Sequence, residues 1–156
     1  MNDILWVILL SITPVAELRG SIPYGIFSTD ISVWIVVFVA VIFNILVGPA
    51  VYLVLQYVVG QFLHIEKFRK GWEHIVLRSQ KKLEPLIQKY GVLGMAVFIG
   101  IPLPGTGVYT AAIGAYALGY RLRQVVAASI IGVVAAATIV TAVSLFGQGV
   151  WTRLFL

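Results

Sequence analysis

The chain has 156 residues, 60% of them hydrophobic and 11% charged, with a net charge of +5. Soluble domains carry about 25% charged residues, so this deficit predicts an integral membrane protein folded as one compact domain. The chain has no cysteine, which excludes disulfides and thiolate metal sites.

The first apolar stretch, residues 4–16, is too short to span a bilayer and ends next to Glu17 and Arg19. It has an aspartate and no lysine or arginine before its apolar run, which argues against a cleaved secretory signal. Prolines lie on both sides of the charged pair, so a continuous helix is unfavourable. We therefore expect a re-entrant hairpin, in which a helix enters the membrane, turns near its middle and returns.

Two later stretches, residues 31–63 and 124–152, contain no charged residue and are long enough to cross about 30 Å of hydrocarbon as helices. The second stretch is rich in alanine, valine, glycine and threonine, and small residues of this kind permit close helix packing in lipid. We expect both stretches to be transmembrane helices.

The segment between them, residues 64–90, holds seven basic and three acidic residues, with apolar residues at helical spacing. The positive-inside rule places this segment in the cytoplasm. We expect an amphipathic helix, either in the headgroup region of the inner leaflet against anionic lipid or on the surface as a plain linker. Within it, Pro85 is expected to start a new helix.

A second broken segment, residues 90–120, contains a tight cluster of prolines and glycines: Pro102, Pro104, Gly105 and Gly107. A continuous helix through that cluster is unfavourable. If the segment crossed the membrane, Arg121 and Arg123 would lie outside, against the positive-inside rule; if it turns back, they return to the cytoplasm. We therefore expect a second re-entrant hairpin.

The predicted fold class is an all-α integral membrane protein built as an inverted repeat. Each repeat is a re-entrant hairpin followed by a transmembrane helix, in residues 1–63 and 91–156, with the cytoplasmic amphipathic helix in residues 64–90 between them. Inverted repeats whose broken helices meet near the midplane are a recurring plan of transporters. We expect residues 1–156 to form a single domain in the inner or plasma membrane.

The charged pair of the first hairpin is the strongest candidate site, because ionisable groups within a membrane are costly and are kept for function by default. Glu17 and Arg19 would point to the same side of an extended segment, and the nearby prolines favour an extended or turning backbone there. The Arg19 guanidinium suits a phosphate or carboxylate, and Glu17 in a low-dielectric site could exchange a proton during transport. Two structural alternatives stay open: a mutual ion pair that locks the hairpin, and a shallow hairpin whose charges reach water.

The second hairpin offers backbone N–H groups at Gly105, Thr106 and Gly107, ahead of a predicted helix start, and these could bind an anion or simply make a tight turn. Hydroxyl groups that could contribute to substrate binding belong to Ser21, Tyr24, Thr106, Tyr109 and Thr110. Asn44 could hydrogen-bond between helices or line a cavity. His64 and His74 lack the spacing of metal ligands, and we expect surface histidines.

Two motifs, ELRGSIPYG at residues 17–25 and PLPGTGVYTAAIGAYALG at residues 102–119, resemble those of the small multidrug export protein family. That family is itself similar to the broad DedA/VTT group of membrane proteins. The resemblance covers nearly the whole chain and implies two opposed re-entrant hairpins and lipid translocation or proton-coupled transport, for example of a polyprenyl-phosphate carrier. Many DedA proteins place an arginine after the proline of the second hairpin, whereas here the next arginine is Arg121, so the substrate could differ.

Three functions follow as competing hypotheses: a DedA-like transporter or flippase for an anionic amphiphile, an exporter of cationic compounds with Glu17 as counter-ion, and a non-transport membrane assembly factor. An enzyme is not expected, since no nucleophile with an adjacent base is visible. The expected partners are membrane lipids, the substrate and a second copy of the chain in a homodimer, with no cofactor, metal or nucleic acid.

Overall fold

The computed structural model describes residues 3–59, 66–103 and 105–155, and its secondary structure is helical throughout. The α-helices are α1 (Asp3–Ile12), α2 (Glu17–Ser28), α3 (Val33–Val54), α4 (Glu66–Tyr90), α5 (Val92–Gly100), α6 (Val108–Ala117) and α7 (Leu122–Phe155). A π-helical turn, Leu55–Val59, extends α3. The described residues contain no strand, so the predicted all-α class is confirmed.

The two predicted membrane spans are confirmed as helices that are long and apolar enough to cross a bilayer, at Val33–Tyr57 and Leu122–Gly147. Residues 60–63 of the first predicted span, together with His64 and Pro104, lie outside the described residues. α3 and α7 pack against each other. Small residues bring α7 close to its neighbours: a Cβ placed on Gly132 would lie 2.6 Å from the carbonyl oxygen of Ala96 in α5.

Helix breaks occur at both predicted places, residues 13–16 and 101–107. Pro14 ends α1, because its ring has no N–H and clashes with the carbonyl one turn earlier. In the second break Gly105 and Gly107 have φ angles of +81° and +125°, which side chains disfavour. α1 packs along α2, and α6 packs against α3 and α4. The re-entry of both segments from opposite membrane faces, as an inverted repeat, stays a prediction.

The prediction that Pro85 starts a new helix is wrong, since α4 continues through it. Leu83 and Ile87 on either side of the proline are both buried, and α4 packs against α5 and α6. This tertiary packing outweighs the cost of proline in a helix interior, about 3 kcal/mol. The apolar face of α4 at residues 79–87 therefore contacts protein, while its basic residues Arg78, Lys81, Lys82 and Lys89 are exposed.

One hydrophobic core extends through the described chain, from Val7 in α1 to Val140 in α7. Asn44 is buried in that core, and its amide donates a hydrogen bond of 2.9 Å to the carbonyl of Ser11 at the end of α1. Of the two roles considered for Asn44, a hydrogen bond between helices is therefore the one observed. The core thus holds the end of α1 directly against the first spanning helix.

Candidate functional site at the junction of the two helix breaks

Arg19 of α2 reaches the second break, more than 80 residues away in the chain. Its guanidinium donates to the carbonyl oxygens of Ile101 (3.4 Å), Leu103 and Thr106 (2.9 Å), and to the Thr106 hydroxyl (2.9 Å). The carbonyls at the end of α5 would otherwise lack helical partners. A fork of fixed donors is suited to several acceptors at once, so Arg19 holds the α5–α6 loop in one conformation.

Glu17 binds the other end of the same loop. The residue is buried, with 8% of its surface exposed. Its carboxylate accepts hydrogen bonds from the backbone N–H groups of Val108 and Tyr109 at the start of α6. A helix N-terminus carries partial positive charge and stabilises an anion there. Gly107 leaves the space for this contact, because a Cβ on it would lie 2.8 Å from Glu17 Oε1.

The backbone at Glu17 has a φ angle of +47°, in the left-handed region. That conformation costs a residue with a side chain about 1–2 kcal/mol. Of the two conformations expected at residues 17–19, an extended or a turning backbone, the extended one is not observed, since both residues lie in the first turn of α2. The two side chains nevertheless reach one region, because the left-handed residue begins α2 directly beside the α5–α6 loop.

The contacts between the two breaks run in both directions. Tyr109 at the start of α6 donates its hydroxyl to the carbonyl of Ile12, at the end of α1. Lys82 of α4 adds a hydrogen bond of 3.0 Å from Nζ to the carbonyl of Gly105. Side chains of each broken segment therefore donate hydrogen bonds to backbone carbonyls of the other.

Six of the eight predicted site residues lie together here: Glu17, Arg19, Gly105, Thr106, Gly107 and Tyr109. Ser21 lies one turn beyond Glu17, fully buried, and its hydroxyl makes no hydrogen bond within the described structure. Tyr24 packs at the edge of the core. Lys82 was not predicted, and no sequence signal distinguishes it from the other lysines of α4.

Two cavities flank Arg19. The first, of about 280 Å³, has charged, hydroxyl-bearing and apolar lining residues: Pro14, Val15, Glu17, Arg19, Gly105, Thr106 and Thr110. The second, of about 270 Å³, is lined by Arg19, Pro23, Pro102, Ile139, Val140, Val143 and Ser144. Arg19 thus lines both a cavity that also includes Glu17 and a cavity walled mainly by apolar residues.

Other polar candidates stand apart from this junction. His74 lies on the exposed side of α4, as predicted for a surface histidine. Within the described ranges no three histidine, aspartate or glutamate residues come close enough to hold a metal ion. The arrangement can therefore bind charge through Arg19 and Glu17, and it offers hydroxyl and backbone groups around them.

The fold and this charged junction, together with two apolar helices of spanning length, define an all-α membrane protein. The model of the family described as "Putative small multi-drug export protein" matches residues 17–139. The chain belongs to this family, whose name indicates a membrane transporter rather than an enzyme. The match begins at Glu17, directly after the first helix break, and includes the second break. It names no DedA relationship, so that resemblance stays an expectation.

Searches of curated proteins and of solved structures found no match to the chain.

Proposed function

We propose that this protein is a proton-coupled membrane transporter or flippase that moves an anionic amphiphile, such as a polyprenyl phosphate or another phospholipid. The observation that carries the proposal is the position of Arg19 between two cavities at the junction of the helix breaks. A charged group within a membrane lowers stability, and such groups are generally retained because they serve a function.

The cavity lined by Pro23 and Ile139 supports an anionic amphiphile as substrate. Its charged lining residue is Arg19, and its remaining walls are apolar apart from Ser144. A guanidinium pairs well with the oxygens of a phosphate or carboxylate, while the apolar walls suit the hydrocarbon next to the headgroup. An amphiphile with an anionic headgroup and a hydrocarbon chain would therefore contact both Arg19 and the apolar walls.

Glu17 is the proposed proton carrier. As a carboxylate it holds the start of α6 through charge-assisted hydrogen bonds, which are stronger than neutral ones. Protonation would remove the negative charge, weaken the contact with Val108 and Tyr109, and leave Arg19 as the uncompensated charge of the junction. An arriving anion would then be favoured, and loss of the proton would favour its release.

The membrane arrangement is part of the proposal. The two breaks face each other near the middle of the bilayer as opposed re-entrant hairpins, with α4 on the cytoplasmic side. Val15 and Leu103 at the breaks are 89% and 57% exposed. Irregular backbone cannot face lipid, so we propose that a second copy covers these residues in a homodimer.

A second candidate function is export of cationic compounds, favoured by the family's name and by the buried Glu17 carboxylate as a counter-ion. Removal of Arg19 would then leave export of cationic compounds partly active or improve it. The third hypothesis, an assembly factor without transport, is favoured by the hydrogen bonds that both charges make to the α5–α6 loop. In that case Glu17→Gln would lower stability and no transport step would exist.

The test is transport into liposomes under a pH gradient, with a fluorescent alkyl phosphate and a cationic dye as the two probes. We expect wild type to move the phosphate, Arg19→Lys to slow it at least tenfold, and Glu17→Gln to abolish its dependence on the gradient. Lys82→Gln is the matched control, since it removes a contact to the same loop from outside both cavities. Transport of the dye but not of the phosphate would favour the second candidate.

A further inference from the structure

An apolar groove of about 510 Å³ runs between α5 and α7 on the outer surface of the helices. Its walls include Leu93, Val97 and Gly100 of α5, and Ile131, Ala135 and Ile139 of α7. Gly100 and Ala135 face each other across the floor, where a Cβ on the glycine would lie 3.4 Å from that of the alanine. The groove exists because glycine and alanine are too small to fill it.

This groove leads to Arg19. Ile139 lines both the groove and the cavity that contains the guanidinium, so the two spaces adjoin. Ile101 lines the groove as well, and its carbonyl accepts a hydrogen bond from Arg19. From Ile131 to Ile139 the groove extends about 12 Å along α7, at a rise of 1.5 Å per residue.

A second apolar groove, between α3 and α7, provides the comparison. It is larger, about 840 Å³, and is lined by residues such as Trp34, Phe38 and Val134. None of the described residues that line it is charged. Both grooves would contact hydrocarbon in a bilayer, but of the two only the α5–α7 groove shares a lining residue with the Arg19 cavity, and Arg19 is half-buried.

We propose that the α5–α7 groove binds the hydrocarbon chain of an anionic amphiphile whose headgroup lies against Arg19. The charge at one end fixes the orientation of the bound molecule, and the apolar walls hold one chain. The inference rests on the proposed function, since it names the place where the substrate of that transporter binds. It assigns the chain to α5 and α7 rather than to the larger groove.

The experiment uses an alkyl phosphate with a diazirine in its chain, photolysed with the full-length protein in nanodiscs of zwitterionic lipid. Labelled peptides are identified by mass spectrometry. Ala135 and Val134 are neighbours on α7, both exposed, that line the two different grooves, so Ala135→Trp and Val134→Trp fill one groove each. Ala135→Leu serves as the milder variant, with circular dichroism and size exclusion to verify folding.

We expect labelling on α5 and α7 in wild type, saturable by unlabelled alkyl phosphate. It should fall about tenfold or more in Ala135→Trp, fall in Ala135→Leu, and persist in Val134→Trp. Arg19→Gln should weaken labelling by about tenfold, the effect of losing one charged hydrogen-bonding partner. An alkyl trimethylammonium diazirine should label the groove less than the phosphate does.

Equal labelling in Ala135→Trp and wild type would overturn the inference, and so would equal labelling by the cationic probe. The outcome is separable from the proposed function. If Ala135→Trp still transports the alkyl phosphate, the groove is not its binding site, but the proposed transport function is retained. If the groove is labelled but the protein moves no phosphate across the liposome membrane, the groove is supported and the transport proposal is overturned.

Discussion

The contact between Glu17 and the start of α6 predicts that Gly107→Ala is far more harmful than alanine at other glycines with a positive φ angle. A Cβ at residue 107 would overlap the Glu17 carboxylate and break its hydrogen bonds to the backbone. Losing hydrogen bonds to a charged group costs about 1.5–3 kcal/mol. The φ angle of +125° adds strain of about 1–3 kcal/mol for a residue with a side chain. We expect a total loss of about 2.5–6 kcal/mol in the free energy of unfolding.

A double-mutant cycle separates the two contributions, with equilibrium unfolding in mixed micelles followed by circular dichroism as the assay. In the Glu17→Ala background the carboxylate is absent, so Gly107→Ala should cost the backbone strain alone, about 1–3 kcal/mol. Gly119→Ala is the matched control, because Gly119 has a φ angle of +74° and nothing lies within 4 Å of its Cβ position. Its cost should be the same in both backgrounds. If Gly107→Ala cost the same in both backgrounds, its effect would not come from overlap with the Glu17 carboxylate.

Three further substitutions test the packing around the junction by the same unfolding assay. Asn44→Ala removes the buried hydrogen bond between α3 and α1 and should cost about 1–3 kcal/mol; no loss would show that the bond is unimportant. Tyr52→Phe removes the 2.6 Å hydrogen bond to the carbonyl of Tyr120 and should cost about 1 kcal/mol, with the helical circular dichroism spectrum unchanged. Gly25→Ala should push α2 away from α3 and lower the free energy of unfolding, because its Cβ would lie 2.8 Å from a Val36 methyl. Adding Val36→Ala should restore much of that lost stability.

The architecture of spans and breaks was predictable because it depends on local composition. Uncharged runs of more than 20 residues form the two apolar helices, and proline with glycine ends helices wherever no packing opposes it. Pro85 shows the limit of that rule. Its helix continues because Leu83 and Ile87 are buried on the neighbouring helices, and a sequence does not show which face will be covered.

The composition of the candidate site was predictable, but its contacts were not. Charged residues in an apolar segment indicated Glu17 and Arg19, and glycines indicated the loop that faces them. The hydrogen bonds of Arg19 join residues 84 positions apart, and tertiary packing alone brings those residues together. Backbone carbonyls have no signature in a sequence, so Ile101 and Leu103 could not be recognised as its partners.

The left-handed conformation of Glu17 was unpredictable for a related reason. Only the contact with α6 makes the strained backbone favourable, and that contact belongs to the folded chain. The nearby prolines indicated an extended or turning backbone, and they did not indicate that residue 17 would be left-handed. The candidate site residues were therefore recognised because charged groups are unfavourable in an apolar environment, whereas their geometry depends on the tertiary fold.

The most direct test of the account is the membrane side of three engineered cysteines, at positions 30, 78 and 121. The chain has no cysteine of its own, and all three positions are exposed. We predict that a membrane-impermeant maleimide reaches positions 78 and 121 from the same face and position 30 from the opposite face. Labelling of positions 121 and 30 from one face, with position 78 on the other, would show that the second broken segment crosses the bilayer and would contradict the account.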